Sequence, residues 1–148
     1  MFMHAQGVRH RTCLVVLVKA RWRMNPEHKT ILLVDDESDF VEGARTVLEA
    51  AGYEVISAAD GAEARQALQD RPVDLAVLDV NLPDDDGFHL CRELRERSEE
   101  TDLPVLFLSV RKDFRDILFG MASGARDFLS KPIGRLELLR AVERTLAA

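Results

Sequence analysis

The sequence predicts an α/β fold in which a doubly wound parallel sheet of five strands carries helices on both faces. Short apolar runs alternate five times with segments of helical periodicity after residue 29, and this stretch shows no internal repeat. The run Leu75–Leu78 is apolar at every position, as in parallel strands that are covered on both faces. Because strand–helix–strand crossovers are right-handed, this alternation builds one parallel sheet between two helical layers.

The predicted strands are apolar segments bounded by turn residues. They cover residues 30–34, 53–58, 73–78, 103–108 and 126–129. The first helix follows residues that favour an N-terminal cap, Ser38 or Asp39, and Gly52 supplies its stop. These signals place the first strand–helix–strand unit between residues 30 and 58.

The later helices are marked in the same way. Asp60 and Glu63 have the spacing of a capping box for a short second helix through Leu68. The third helix is expected to begin at Gly87, and the fourth to stop near Gly124. The last helix is predicted over residues 134–146, with an inner apolar stripe of Leu136, Leu139, Val142 and Leu146.

Length and charge limit the possible functions. The chain has 148 residues, 47% of them hydrophobic, which fits about one globular domain. Its net charge of −6 divides into +4 for residues 1–28 and −10 for the remainder. The acidic part disfavours direct binding to nucleic acid. Cys13 and Cys91 do not suggest a disulfide framework, so a reducing cytoplasm is the expected location.

Residues 1–28 form an N-terminal extension, and residues 29–148 are the predicted domain. The apolar run at residues 13–18 is too short to span a bilayer and lacks the cleavage site of a secretory signal. A basic anchor on a membrane surface is one interpretation. We favour the interpretation that Met24 is the natural start and that the preceding residues are disordered or wrongly assigned, with no membrane association.

Polar side chains follow four of the predicted strands at their carboxyl ends, where open α/β sheets place their ligands. Asp35 and Asp36 follow the first strand, and Asp79 follows the third. Ser109 follows the fourth strand and Lys131 the fifth. Any one of these residues has a plain structural explanation, such as a helix cap or a solvated loop charge. The complete set in this order indicates a functional site.

The region from about Lys29 to Ala147 resembles a response-regulator receiver domain of two-component signalling, of the single-domain chemotaxis-regulator type. The matching positions are Asp35, Asp36, Asp79, Pro83, Gly87, Ser109 and residues 124–132. The resemblance implies a flavodoxin-like fold with strand order 2-1-3-4-5. In that order the first and third strands are neighbours, so Asp35, Asp36 and Asp79 come together.

Three carboxylates held together repel one another unless a cation lies among them, and a hard divalent ion suits oxygen ligands. By resemblance to the family this ion is Mg²⁺. The family pattern implies that Asp36 and Asp79 bind it directly and Asp35 mostly through water. The backbone carbonyl of Asn81 is expected to supply a further oxygen.

The resemblance also assigns chemical roles. Asp79 is expected to accept a phosphoryl group from a histidine kinase or a histidine phosphotransfer domain, with Lys131 and Ser109 neutralising charge on the phosphoryl oxygens. Ser109 and Phe128 are the expected switch residues. The protein then catalyses only its own phosphorylation and dephosphorylation, so it is not classed as an enzyme.

Three positions are expected to adjust the reaction rate. Asn81 and Arg111 lie two residues past Asp79 and Ser109, at the positions that tune self-hydrolysis in the family. Val110 is β-branched where the family usually has a small residue, which narrows access to the phosphoryl group. Whether Arg111 pairs with the phosphoryl group or blocks water is left open, and with it the lifetime of the phosphorylated state.

The favoured hypothesis is a stand-alone receiver in phosphorelay signalling that acts on a separate protein target. It is expected to be a monomer, or a phosphorylation-dependent dimer through the face of the fourth helix, fifth strand and fifth helix. The alternative is a non-phosphorylated pseudo-receiver that serves as an interaction module. A Mg²⁺-dependent phosphohydrolase is disfavoured because the Asp-x-Asp nucleophile motif of haloacid dehalogenase-type phosphatases is absent: Asn81 stands two residues after Asp79.

Overall fold

The computed structural model describes residues 28–97, 103–110 and 113–147, and for Arg97 and Phe114 it describes the backbone alone. The strands are β1 (Thr30–Val34), β2 (Glu54–Ala58), β3 (Leu75–Leu78), β4 (Val105–Ser109) and β5 (Asp127–Ser130). The helices are α1 (Ser38–Ala50), α2 (Gly61–Asp70), α3 (Gly87–Arg97), α4 (Phe114–Ala122) and α5 (Arg135–Ala147). The predictions for Cys13, Met24 and Arg111 lie outside the described residues.

The strands form one parallel sheet in the order β2-β1-β3-β4-β5. This confirms the predicted flavodoxin-like architecture. Each central strand is buried along its whole length, which explains why the sequence shows apolar runs instead of alternation. Because β1 and β3 are neighbours, the chain segments that leave them emerge side by side at the carboxyl edge of the sheet.

Alternate residues of the strands contribute to two separate cores. Leu32, Leu78 and Phe107 point to a layer that includes residues of α2 and α3. Their neighbours in the strands, such as Leu33 and Val77, pack on the opposite side against residues of α1 and α5. The period-two alternation of strand side chains thus places helices on both faces, as the doubly wound pattern requires.

The second helix begins as the sequence predicts. The Asp60 carboxylate accepts a hydrogen bond from the Glu63 amide at 2.8 Å, and the Glu63 carboxylate accepts one from the Ala59 amide at 2.5 Å. The first bond satisfies an amide that the first turn of a helix leaves without a partner, and the second holds the residue that precedes the N-cap. The helix continues to Asp70, two residues beyond the predicted end.

The predicted cap of the first helix was wrong. Glu37 occupies the N-cap position without a side-chain cap, and both Ser38 and Asp39 lie inside the first turn. The Glu37 amide instead donates to the Asp35 carboxylate at 2.9 Å. A side chain at the end of β1 therefore organises the start of α1.

The inner stripe of α5 was also partly wrong. Leu136 is 58% exposed, and the buried side chains of this helix are Leu138, Ala141, Val142 and Thr145. Their spacing of one, three and four residues fits one face of a helix. This buried face is rotated about the helix axis relative to the predicted stripe. Leu139 and Leu146 are half-buried at its margin.

Other boundaries moved by a few residues. The third strand begins at Leu75 instead of residue 73, and the fourth covers Val105–Ser109 instead of residues 103–108. Gly52 and Gly124 follow α1 and α4 with φ of 98°, so both glycines stop their helices as predicted. Among the described residues, no helix combines the length and the apolar character needed to cross a membrane.

Cys91 lies on α3 as a free, fully buried thiol. Burial raises the pKa of this thiol to about 11, so it stays protonated at neutral pH. It packs as a small apolar side chain beneath the sheet.

Candidate functional site

Two buried aspartates leave adjacent strands at the same level. Val34 of β1 pairs with Leu78 of β3, and the next residue along each strand is Asp35 or Asp79. The Asp79 amide donates to the Val34 carbonyl at 2.9 Å, which extends the β1–β3 ladder by one residue to Asp79. Asp35 is 3% exposed and Asp79 is 7% exposed, so both carboxylates are largely removed from water.

Asp36 completes a group of three carboxylates. Asp35, Asp36 and Asp79 each offer one oxygen, and these oxygens lie within 4.8 Å of one another. Asp36 is exposed, whereas the other two are buried. The structure therefore assembles the predicted acidic cluster at the carboxyl edge of the sheet.

Lys131, which follows β5, brings a positive charge into this cluster. Its ammonium donates to Asp35 Oδ2 in a short ion pair and lies 3.3 Å from Asp79 Oδ2. The same nitrogen lies 4.4 Å from the ring centroid of Phe40, a contact that favours a cation through the ring face. Lys131 is only 7% exposed, so these side chains form its immediate environment.

The charges in this site perturb one another. Burial raises the pKa of Asp79 above its ordinary value, and the Asp35 charge adds to this, against the opposing effects of the Asn81 amide and Lys131. Burial disfavours the charged form of Lys131, but its hydrogen bond and charge interactions with Asp35 and Asp79 prevail and raise its pKa. The folded state thus holds a tightly paired lysine beside an aspartate that is costly to ionise.

The raised pKa of Asp79 predicts that Asp79→Asn stabilises the fold when Mg²⁺ is removed. The folded chain retains the Asp79 proton to higher pH than the unfolded chain, so folding stability falls as the pH rises between the two pKa values. Above that pH range the folded state bears the full cost of the ionised, buried Asp79 carboxylate, and the neutral asparagine removes this cost. In chelator at pH 7 we expect Asp79→Asn to have a higher free energy of unfolding than the wild-type protein, measured by urea denaturation. A gain that persists unchanged at pH 3 would contradict this explanation.

The loop after β3 is built closely around Asp79. The Asn81 amide donates to Asp79 Oδ1 at 3.1 Å, and the Gly87 amide donates to the Val80 carbonyl at 2.8 Å. A Cβ atom at Gly87 would lie 2.3 Å from the Asp79 carbonyl oxygen. Only glycine therefore allows α3 to begin this close to Asp79.

Ser109 and Phe128 lie on the neighbouring strands. Ser109 is fully buried at the end of β4, and its carbonyl accepts a hydrogen bond from the Lys131 amide at 2.8 Å. Phe128 on β5 is half-buried, with its ring centroid 5.9 Å from that of Phe107. Val110 is 60% exposed, next to Ser109.

Phe40 is a site residue that the sequence analysis missed. The sequence analysis gave it no role, but its ring faces the Lys131 ammonium. A signal was available, because Phe40 lies within the first turn of the helix that follows Asp35 and Asp36. Residues in such a turn lie near the carboxyl edge of the sheet, where ligands bind.

A second group of possible metal ligands is formed by Asp85, His89 and Glu93. The Arg65 guanidinium already pairs with both of its carboxylates, at 2.5 Å to Asp85 and 2.7 Å to Glu93. His89 Nδ1 also lies 3.1 Å from Asp85. One arginine thus pairs with both carboxylates of this group, whereas the cluster at Asp79 holds three carboxylates for one lysine.

Comparison with known proteins identifies this arrangement. The family model described as the response regulator receiver domain matches residues 31–143. The chain belongs to the response regulator receiver domain family. Receiver domains of two-component response regulators interact with histidine kinases and downstream effectors, and the family binds Mg²⁺ at an acidic pocket.

Individual relatives agree with this assignment. The receiver domain is 41% identical over 123 residues to transcriptional regulatory protein GltR of Pseudomonas aeruginosa, covering 83% of this chain and 51% of that protein. It is 38% identical over 119 residues to the alkaline phosphatase synthesis transcriptional regulatory protein PhoP of Bacillus subtilis, covering 80% of this chain and 49% of that protein. The chain spans about half the length of the curated relatives it matches.

Solved structures show the same fold. A chemotaxis response regulator of Vibrio cholerae superposes with a TM-score of 0.75 at 33% identity. The match covers 80% of this chain and 98% of that chain. The receiver domain thus matches nearly the whole of a solved response regulator.

The residues present suit a magnesium ion. Carboxylate oxygens are its preferred protein ligands, and it keeps several waters when only a few side chains bind it. Three carboxylates and one ammonium leave two negative charges in the site of Asp35, Asp36, Asp79 and Lys131. One divalent cation balances that charge.

Proposed function

We propose that this receiver domain is a phosphorylation-dependent switch that accepts a phosphoryl group on Asp79 from a histidine kinase or a histidine phosphotransfer domain. The observation that supports this most is the environment of one carboxylate. Asp79 is buried at the carboxyl end of β3, lies 3.3 Å from Lys131 Nζ, and shares a cluster with Asp35 and Asp36. Phosphoryl transfer is catalysed mainly by positioning the reacting groups and by stabilising the charge of the transition state.

Asp79 acts as the nucleophile. One of its carboxylate oxygens forms a bond to phosphorus while the bond from phosphorus to the phosphohistidine nitrogen breaks, and that nitrogen keeps the electron pair. The product is an acyl phosphate on the chain itself, so the chemistry is confined to its own phosphorylation and later hydrolysis. Lys131 and the Asn81 amide favour the ionised carboxylate that this attack requires.

Asp36 and Asp79 would hold Mg²⁺ directly, Asp35 through water, and Asn81 through its backbone carbonyl. When bound, the ion supplies positive charge to the oxygens of the transferring phosphoryl group. The new group carries a charge of about −1.5 to −2 at neutral pH. Lys131 then serves as the protein's own counter-charge, because its ammonium already lies in the site.

Ser109 and Phe128 form the proposed switch. The Ser109 hydroxyl moves toward the phosphoryl group, and the ring of Phe128 turns inward behind it. The half-buried ring already borders Phe107, beside the core, so the rotation requires only a local rearrangement. Asn81, Val110 and Arg111 are proposed to set the lifetime of the phosphorylated state.

The output of the switch is proposed to be a changed protein-binding surface over α4, β5 and α5. Leu118, Phe119 and Met121 of α4 are between 43% and 57% exposed, so apolar contact area is available there. The target is a downstream protein or a second receiver domain. Two of the relatives described above are named transcriptional regulatory proteins. Stand-alone action and the absence of direct contact with nucleic acid therefore stay predictions. The cytoplasmic location is also a prediction.

The proposal is tested by incubating the protein with Mg²⁺ and acetyl phosphate and measuring the intact mass. We expect a gain of one phosphoryl group that depends on Mg²⁺ and is absent in Asp79→Asn. The control is Asp70→Asn, which removes an exposed carboxylate at the end of α2 and is expected to leave the gain unchanged. If the wild-type chain gains no mass and binds no beryllofluoride with Mg²⁺, the proposal is wrong and an interaction module is favoured.

A further inference from the structure

Residues 81–86 form most of the loop between β3 and α3, and they follow the proposed acceptor, Asp79. The first of them, Asn81, is the one whose carbonyl is expected to bind Mg²⁺. The base of the loop is closed by a β-bridge between Asn81 and Asp86 and by the hydrogen bond from the Gly87 amide to the Val80 carbonyl. What holds the rest of the loop therefore affects where the Asn81 carbonyl lies.

Arg65 of α2 reaches this loop through a forked ion pair. Its Nη2 atom lies 2.5 Å from Asp85 Oδ2, and its Nε atom lies 2.7 Å from Glu93 Oε2. All three side chains are between 15% and 26% exposed, so water screens them only in part. One planar guanidinium thus connects α2, the loop and α3, and charge-assisted bonds of this geometry are directional.

Asp84 attaches the neighbouring loop position to the start of α2. Its carboxylate accepts hydrogen bonds from the amides of Gly61 at 2.8 Å and Ala62 at 3.0 Å. These amides belong to the first turn of α2, where an anion is favoured, and their hydrogen bonds lower the pKa of Asp84. Two consecutive loop residues are therefore fastened to the same helix, one through backbone amides and one through Arg65.

We propose that Arg65 is a positioning residue for the Mg²⁺ site: by holding Asp85, it keeps the loop in the conformation that presents the Asn81 carbonyl to the ion. This inference rests on the proposed function. The physical basis is preorganisation, because a loop that is already fixed loses less conformational freedom when one of its carbonyls binds an ion. The effect travels through the backbone, since Arg65 pairs with Asp85 and Asn81 lies four residues before it.

The test compares Mg²⁺ dissociation constants from isothermal titration calorimetry for the wild-type protein, Arg65→Met and Arg65→Met/Asp85→Met. Arg65→Met removes the guanidinium that pairs with Asp85, although the His89 contact remains. We expect the dissociation constant to rise about three- to tenfold, below the 10- to 100-fold typical of groups that hydrogen-bond a metal ligand directly. The double variant replaces the Arg65–Asp85 arm of the ion pair with an apolar contact, while Glu93 loses Arg65 in both variants. If the Asp85 arm is the one that positions the loop, most of the affinity returns.

The matched control is Arg45→Met, which removes an arginine that contacts Glu49 and Ser57 on the other side of the sheet. It is expected to leave the Mg²⁺ dissociation constant unchanged. Hydrogen exchange without Mg²⁺ provides a second readout, in which residues 81–86 exchange faster in Arg65→Met than in Arg45→Met. Urea denaturation of the same variants separates a loss of stability from a loss of ion affinity.

Two failures are distinguishable. If the wild-type protein does not bind Mg²⁺ more tightly than Asp79→Asn does, the proposed function fails. If the wild-type protein binds Mg²⁺ normally but Arg65→Met has the same dissociation constant, the positioning role is wrong, and Arg65 only stabilises the packing of α2 on α3. If Arg65→Met binds Mg²⁺ weakly and the double variant binds it just as weakly, the effect of Arg65 does not act through its pairing with Asp85, and the proposed positioning role is also wrong.

Discussion

Lys131→Met is expected to destabilise the Mg²⁺-free protein by about 3 kcal/mol, because removal of one partner of a buried ion pair leaves the other charge uncompensated. Lys131 is the cation that pairs with both Asp35 and Asp79, and all three side chains are at least nine-tenths buried. Methionine keeps much of the length and apolar surface of lysine, so the loss reports mainly on charge. The measurement is urea denaturation in the presence of a chelator.

Mg²⁺ is expected to stabilise Lys131→Met more than it stabilises the wild-type protein. Without the ammonium the three carboxylates of Asp35, Asp36 and Asp79 carry their full negative charge, and the ion meets no internal competitor. Stabilisation by a bound ligand reaches about 2.7 kcal/mol at a concentration 100 times the dissociation constant. Saturating Mg²⁺ should therefore restore most of the stability that Lys131→Met loses in chelator. Phosphoryl acceptance from acetyl phosphate should fall in this variant, because the ammonium that balances the phosphoryl charge is missing.

Arg144→Met is the matched control for Lys131→Met. Arg144 pairs with Asp127 at 3.1 Å, but its side chain is 64% exposed, and such surface pairs contribute about 0–1 kcal/mol. We expect no dependence of its stability on Mg²⁺. If Lys131→Met and Arg144→Met unfold at the same urea concentration in chelator, Lys131 does not balance the charge of the buried aspartates.

Gly87→Ala is expected to have the other large effect. The added Cβ would lie 2.3 Å from the Asp79 carbonyl oxygen and 2.8 Å from the Val80 Cα, both backbone atoms that cannot move aside alone. Forcing such a group into a packed site costs about 1–3 kcal/mol, and we place this case at the upper end. Because the displaced backbone carries Asp79 and Asn81, Mg²⁺ affinity should fall together with the free energy of unfolding.

Gly43→Ala provides the comparison, since nothing lies within 4 Å of the Cβ that it would add. Gly43 is within α1, where alanine is favoured over glycine by about 0.5–1 kcal/mol. We therefore expect this variant to be more stable than the wild-type protein and to bind Mg²⁺ normally. Equal stability of the two variants would mean that the start of α3 can shift away from Asp79 without cost.

Much of the fold was predictable because its signals are local. Apolar runs such as Leu75–Leu78 mark the buried strands, and glycines such as Gly124 mark where helices stop. The grouping of Asp35 with Asp79 needed one further fact, the adjacency of β1 and β3, which came from the family resemblance and which the strand pairing confirms.

The remaining features depend on contacts between distant parts of the chain. The pairing of Arg65 with Asp85 joins residues 20 positions apart, and the ring of Phe40 meets Lys131 only after the sheet is formed. Leu136 was placed inside by helical spacing alone, yet the packing of α5 on the sheet turns it outward. The spacing of apolar residues along a helix does not determine how the helix is rotated about its axis when it packs on the sheet. The orientation of α5 and the contacts between distant residues are therefore seen only in the structure.

The most direct test of the central claim is to locate the phosphoryl group after reaction with acetyl phosphate and Mg²⁺. Borohydride reduces an acyl phosphate of aspartate to homoserine, which peptide mass spectrometry assigns to one position. The account predicts homoserine at position 79 alone. Homoserine at position 35 or 36 in place of 79, or a phosphoryl group on a serine, would contradict the assignment of Asp79 as the acceptor.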